Sequence, residues 1–146
     1  MFGSIVVGID GSDTAGEALR QSIALARSVG ARIELVSAYE PVSDARLRES
    51  VSVPRDLQWI INPREDVEAT LERAAGEVRA AGVDVDVFAR QGDPADAILD
   101  VAEERRCDLI VVGNKGMTGA KRFLLGSVPN KVSHHAPCSV LIIRTI

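Results

Sequence analysis

Cysteine is scarce in this chain: two residues, Cys107 and Cys138, in 146. That excludes a disulfide scaffold, and a chain of this length buries enough core without one. Both thiols are therefore expected to be reduced and packed. Histidine is limited to the adjacent pair His134 and His135. Neighbours on a helix point about 100° apart and make a poor ligand pair, and the cysteine spacing fits no zinc motif. No apolar run approaches the ~20 residues of a membrane span. Met1-Phe2-Gly3-Ser4 lacks the basic segment and long apolar stretch that open a signal peptide, so a cytoplasmic protein is expected. Aromatics make up only 3% of the residues, and the pI is about 5.2. Both argue against nucleic acid as a partner.

Acid is also missing from one region. All 21 Asp and Glu residues lie at or before Asp108. Residues 1–112 carry 12 Lys and Arg against those 21 acids, a net charge of −9, whereas residues 113–146 carry five cations and no acid. A cationic final quarter inside an acidic protein suggests a local anion site.

What is present is the composition of one globular domain, 46% hydrophobic and 26% charged, expected to span residues 1–146. Ser4 to Ile9 is a continuous apolar run, the mark of a buried parallel strand. Gly11 breaks it. Ser12 or Thr14 can then cap a helix, Thr14 with Glu17 matching a capping box, and Ala15, Leu19, Ile23 and Ala26 recur at helical spacing. Gly30 ends that helix, and Ile33 to Ala38 reads as a second strand. Residues 39–63 contain three prolines among scattered apolar residues and read as a long binding loop or lid. Asn62-Pro63-Arg64-Glu65 starts a second helix, with Val67, Leu71, Ala74, Ala75 and Val78 on its apolar face. Val83, Val85, Val87 and Ala89 alternate with Asp84, Asp86 and Phe88, predicting a third strand near an edge. Asp93-Pro94 opens a third helix carrying Ala97, Ile98, Val101 and Ala102. Leu109 to Val112 is a fourth strand, Ser127 begins a short fourth helix, and Cys138 to Ile143 is a fifth strand.

Strands alternating with helices imply an α/β fold, a Rossmann-like three-layer sandwich around a parallel sheet. Right-handed crossovers leave few topologies, and the favoured one is a five-strand sheet ordered 3-2-1-4-5. It sets strands 1 and 4 side by side at the topological switch point, where ligands bind beyond the strand ends. Asp10 follows strand 1 and Gly113 follows strand 4, so both fall there.

The segment from Gly113 to Ser127 carries the chemistry. Gly113 and Gly116 allow close backbone approach to a ligand. Gly126 and Ser127 precede a helix whose free N–H groups and dipole favour an anion. Lys115, Lys121 and Arg122 add positive charge. Together they predict a phosphate cradle. It is neither the P-loop pattern nor G-x-G-x-x-G.

The spacing here is G-x2-G-x9-G-S. With Val7-Gly8-Ile9-Asp10-Gly11-Ser12, Ser37-Ala38-Tyr39 and Val111-Val112-Gly113, it resembles the universal stress protein family over almost the whole chain, and within it the nucleotide-binding branch. The resemblance implies an adenine-nucleotide-binding regulatory module of the stress response. Its ligand would be ATP with Mg²⁺, or AMP or cyclic AMP, the last as the alternative ligand. Gly8 and Ile9 would line the nucleotide. Asp10 would contact ribose or help place the metal, unless it serves only as a helix-cap carboxylate. Ala38 would meet adenine through its backbone. Val112, Gly113 and Gly116 would wrap ribose and phosphates, and Gly126 and Ser127 would hold phosphate oxygens with Val128 beside them. Lys115 and Arg122 would add phosphate contacts. The family commonly forms a homodimer through its last strand, and residues 138–143 have no acid to protect an edge. With no arginine finger, clear base or Walker aspartate, at most weak ATPase activity is expected. A receiver domain is disfavoured because Asp10 lacks an adjacent acid, and a purely structural dimer remains a third reading.

Overall fold

The structure is a computed structural model that describes residues 2–39, 63–114 and 125–145. Along the chain run β1 (Ser4–Gly8), α1 (Asp13–Val29), β2 (Arg32–Tyr39), α2 (Pro63–Ala80) and β3 (Val85–Gln91). Then follow α3 (Pro94–Glu104), β4 (Leu109–Gly113), α4 (Ser127–His135) and β5 (Ser139–Ile143). The five strands form one parallel sheet in the order β3-β2-β1-β4-β5, the topology expected from the alternation of elements. β1 pairs with β2 from Ser4↔Arg32 to Gly8↔Val36 and with β4 from Ile5↔Leu109 to Val7↔Val111.

Side chains alternate across a strand, so each strand feeds two cores. Ile5, Val7, Ile33, Leu35, Leu109 and Val111 pack beneath α1 and α2, with Leu19, Ala26, Leu71, Ala75 and Val78. Val6, Val36, Ile110 and Val112 pack on the other face beneath α3 and α4, with Ile98, Val101, Ala102 and Val132. Cover on both faces explains why β1 and β4 read as unbroken apolar runs.

The structure decides between the two caps offered for α1 and differs from the sequence reading at β3. The cap of α1 is Ser12, whose Oγ accepts from the Ala15 N–H at 3.2 Å, so Thr14 lies inside the helix and the Thr14–Glu17 box does not form. Gly11, at φ 83°, makes the turn that points Ser12 into that role. β3 starts at Val85 rather than Val83, and its alternation is not the expected inward valines and outward Phe88. Val87 is 37% exposed, whereas Phe88 packs into the α3 face. As the outermost strand, β3 lies beyond full helix cover, so period-2 hydrophobicity overstates its burial. The cap expected at Asn62 lies outside the described residues.

α3 is capped as expected. Asp93 is the N-cap, its carboxylate accepting from the Asp96 N–H at 3.1 Å, and Pro94 opens the helix. That backbone hydrogen bond, ahead of the contact from Lys131, holds the Asp93 carboxyl below the usual range. A depressed carboxyl contributes stability above its unfolded pKa, and the contribution disappears as pH falls through the folded value. Asp93→Ala should therefore cost about 1 kcal/mol at neutral pH, and the gap from wild type should close on acidification below about pH 4. Urea titrations stepped from pH 7 into the acid range check this; a gap that does not narrow at all below about pH 4 would assign the loss to packing.

Candidate functional site

β1 and β4 are adjacent, and the chain leaves them for opposite layers. β1 leads into α1 and β4 leads toward α4. A cleft opens beyond their C-terminal ends. Its sheet side consists of Gly8, Ile9, Asp10, Val36, Ser37 and Ala38, with Val112 and Gly113 across from them. Its helical side is Pro94 and Ile98 of α3 and Val128 and Pro129 of α4, and Ser12 and Ala15 close it from α1. Most of this lining is apolar, as in sites for small organic ligands.

Gly8 is where α3 meets β1. A Cβ there would lie 2.5 Å from Ile98 Cδ1, so the missing side chain lets Ile98 rest against the strand and floor the cleft.

The backbone of β2 supplies one polar feature. Its even-numbered residues turn both N–H and C=O toward β1: Arg32 donates to the Gly3 carbonyl at 3.0 Å, and the Val36 carbonyl accepts from Ile9 at 2.9 Å. Odd-numbered residues turn toward β3, the Tyr39 carbonyl accepting from Gly92 at 2.8 Å. The Ile9–Val36 bond is the last along the β1–β2 seam among the described residues. Ala38 comes two residues later, so its N–H and C=O point past the end of β1 into the cleft. They offer an adjacent donor and acceptor that no strand among the described residues uses.

The start of α4 supplies the second. Its N-cap is Gly126, which has no side chain to cap the helix. The Gly126 N–H donates to the Asn114 carbonyl at 3.0 Å, and the first helical bond runs from Asn130 N–H to the Gly126 carbonyl. Pro129 has no N–H. The donors left over at this end are thus the amides of Ser127 and Val128, neither of which has an acceptor among the described residues. Helix ends leave such orphan donors, and their partial positive charge suits an anion.

Asp10 is exposed and uses Oδ1 to accept from the Ser12 N–H at 2.9 Å and the Ser12 hydroxyl at 2.5 Å. It orients the residue that caps α1 and is not itself the cap. Of the predicted site residues, Gly8, Ile9, Asp10, Ala38, Val112, Gly113 and Val128 line one cleft, with Gly126 and Ser127 at the helix start beside it. Lys115, Gly116 and Arg122 lie outside the described residues. Pro94, Ile98 and Pro129 were not anticipated as lining. Helical periodicity identified Ile98 as buried but not which end of the sheet it buries against.

Among the described residues no group of three or more His, Cys, Asp or Glu could hold a metal ion. No helix among them is long and apolar enough to cross a membrane. Both cysteines are free, Cys107 buried and Cys138 half-buried, and burial pushes both thiols up.

The sequence profile of the universal stress protein family matches residues 1–144. The chain belongs to the universal stress protein family. Universal stress protein YxiE of Bacillus subtilis is 36% identical over 150 residues, covering 99% of this chain and 100% of that protein. Among solved structures of the family, a universal stress protein in complex with cAMP superposes with a TM-score of 0.75 at 29% identity, covering 99% of this chain and 98% of the other. The protein MJ0577 superposes with a TM-score of 0.80 at 25% identity, covering 99% and 96%. The family match thus extends to the order of strands around the cleft.

Proposed function

We propose that this chain binds an adenine nucleotide in the cleft at the β1/β4 switch point and acts as a nucleotide-responsive regulatory module of the stress response. One observation carries the reading. The backbone donor and acceptor of Ala38 and the start of α4, unpaired and uncapped among the described residues, stand at two ends of a single apolar-walled cleft. Adenine presents an acceptor at N1 beside a donor at N6, which complements a strand residue whose N–H and C=O both point outward. A phosphate group complements the Ser127 and Val128 amides. Asp10, whose two hydrogen bonds among the described residues both fall on Oδ1, keeps Oδ2 for a ribose hydroxyl or for a metal ion carried by the phosphates.

The ligand is ATP or a shorter adenylate. Mg²⁺ fits as an ion carried by the phosphates: Asp10 gives one carboxylate, and Mg²⁺ usually takes one or two with substrate oxygens and water. Bound there, it would neutralise phosphate charge. Cyclic AMP is the second reading, favoured by the cAMP complex of the 29% identical relative. Hydrolysis is at most slow, because the described lining of the cleft holds no arginine, lysine or histidine to stabilise a transferring phosphoryl group.

We also propose that two copies pair along β5. It is an edge of the sheet and exposes Ser139 and Leu141, the latter at 39%. Native mass spectrometry tests both claims. The expected mass is twice that of the chain, carrying adenylate supplied as ATP, AMP or cyclic AMP, with competition ranking the three. A dimer that takes up no adenylate at millimolar ligand would leave a structural role only, and a monomer would remove the pairing.

A further inference from the structure

Asn114 immediately follows β4 and makes contacts in three directions. Its N–H donates to the Ile143 carbonyl at 2.9 Å, extending the β4–β5 ladder. Its carbonyl accepts from the Gly126 N–H at 3.0 Å, at the start of α4. Its side-chain Oδ1 accepts twice from Thr145, from the N–H and from the hydroxyl, both at 2.9 Å. These last two bonds are partly buried and span 31 residues of sequence.

We infer that Thr145, acting through Asn114, is a positioning residue for the phosphate end of the cleft. The inference rests on the adenine-nucleotide reading above. The amides of Ser127 and Val128 can grip an anion only where the start of α4 is held, and among the described residues a backbone bond that ties it to the end of β4 falls on the Asn114 carbonyl. The carboxamide of that residue is in turn fixed by two donors from Thr145. Thr145 thereby clamps the turn at residue 114 through its side chain; without that clamp the peptide whose carbonyl receives the Gly126 N–H is held, among the described residues, by the Ile143 bond alone. Neither Thr145 nor Asn114 lines the cleft. Thr145 therefore acts at a distance, from the segment after the edge strand β5, and pairing along β5 would bear on the same clasp.

The test separates the two ends of the ligand. Adenosine needs only the Ala38 end; AMP needs both. Thr145→Pro removes the N–H and the hydroxyl together, whereas Thr145→Ser keeps both donors. Calorimetric titration of the full chain is expected to show AMP weakened about tenfold in the proline variant, adenosine unchanged, and the serine variant indistinguishable from wild type. An intermediate loss of about threefold is expected for Thr145→Val, which keeps the N–H alone. If the proline variant binds AMP as wild type does, or loses AMP and adenosine equally, the positioning role is wrong while the nucleotide reading stands. If the wild type binds neither ligand, the nucleotide reading fails and the inference falls with it.

Discussion

Replacing Ser127 with aspartate is expected to weaken AMP binding by on the order of 100-fold without lowering the stability of the protein. The two effects separate because one feature drives them in opposite directions. Ser127 is the first residue of α4, exposed, on a helix whose cap is a glycine and whose first turn holds no acid. A carboxylate there interacts well with the helix dipole and is worth roughly 0.3–1 kcal/mol to the folded chain. It also occupies the place proposed for phosphate. It would compete for the Ser127 and Val128 amides and repel a second anion within a few ångströms. Ser127→Ala, which keeps both amides, should hold AMP within about threefold of wild type. Adenosine should bind all three proteins alike. Thermal melts and parallel titrations read both quantities. An aspartate variant that binds AMP like wild type would place the phosphate elsewhere and remove the physical basis of the proposal.

The fold was legible because burial on both sides leaves a plain trace. Ile5-Val6-Val7 and Leu109-Ile110-Val111-Val112 are apolar at every position since one parity faces α1 and α2 and the other faces α3 and α4. The position of the cleft followed from topology alone, once β1 and β4 were neighbours. Less of the site was legible. The lining from α3 was missed because a periodic pattern reveals which side of a helix is buried and says nothing of how far along the sheet it reaches. That Gly126 contributes a missing cap rather than a free amide depends on the Asn114 carbonyl, a tertiary contact no local pattern encodes. The choice of Ser12 over Thr14 as cap was set by Asp10, which fixes the serine through two bonds and leaves its Oγ aimed at the Ala15 N–H.

Glu34 is the residue the hydrophobic pattern explains least, and it sets the second large expectation: Arg32→Met should destabilise the protein by about 3 kcal/mol, or roughly 10 °C in Tm. Glu34 lies on β2 with its side chain 1% exposed, and its cross-strand partner on β3 is another acid, Asp86. Like charges directly opposite are destabilising. Here two arginines bridge them. Arg32 donates Nε to Glu34 at 2.6 Å and Nη2 to Asp86 at 2.7 Å. Arg105, at the end of α3, reaches Asp86 at 2.9 Å and Glu34 at 3.6 Å while its guanidinium lies over the Phe88 ring. Even so, Glu34 Oε2 has no hydrogen-bond partner among the described residues. Removing Arg32 would strand a buried carboxylate against an opposing acid, the case in which breaking a pair costs most. Replacing both members, Arg32→Met with Glu34→Leu, should recover to within about 1 kcal/mol of wild type, because a well-packed apolar pair of similar volume is commonly no worse than a buried ion pair. The cluster begins where β2 enters the sheet, and Ala38 lies near the strand's other end. The folded fraction of the single variant should therefore bind AMP with wild-type affinity. Guanidinium unfolding of the three proteins, with titrations well below the melting temperature, decides the matter. A single variant as stable as wild type would mean that Arg105 alone holds the charge. A double variant as unstable as the single would mean that the bridges set the β2–β3 register, which a one-residue slip would otherwise invert.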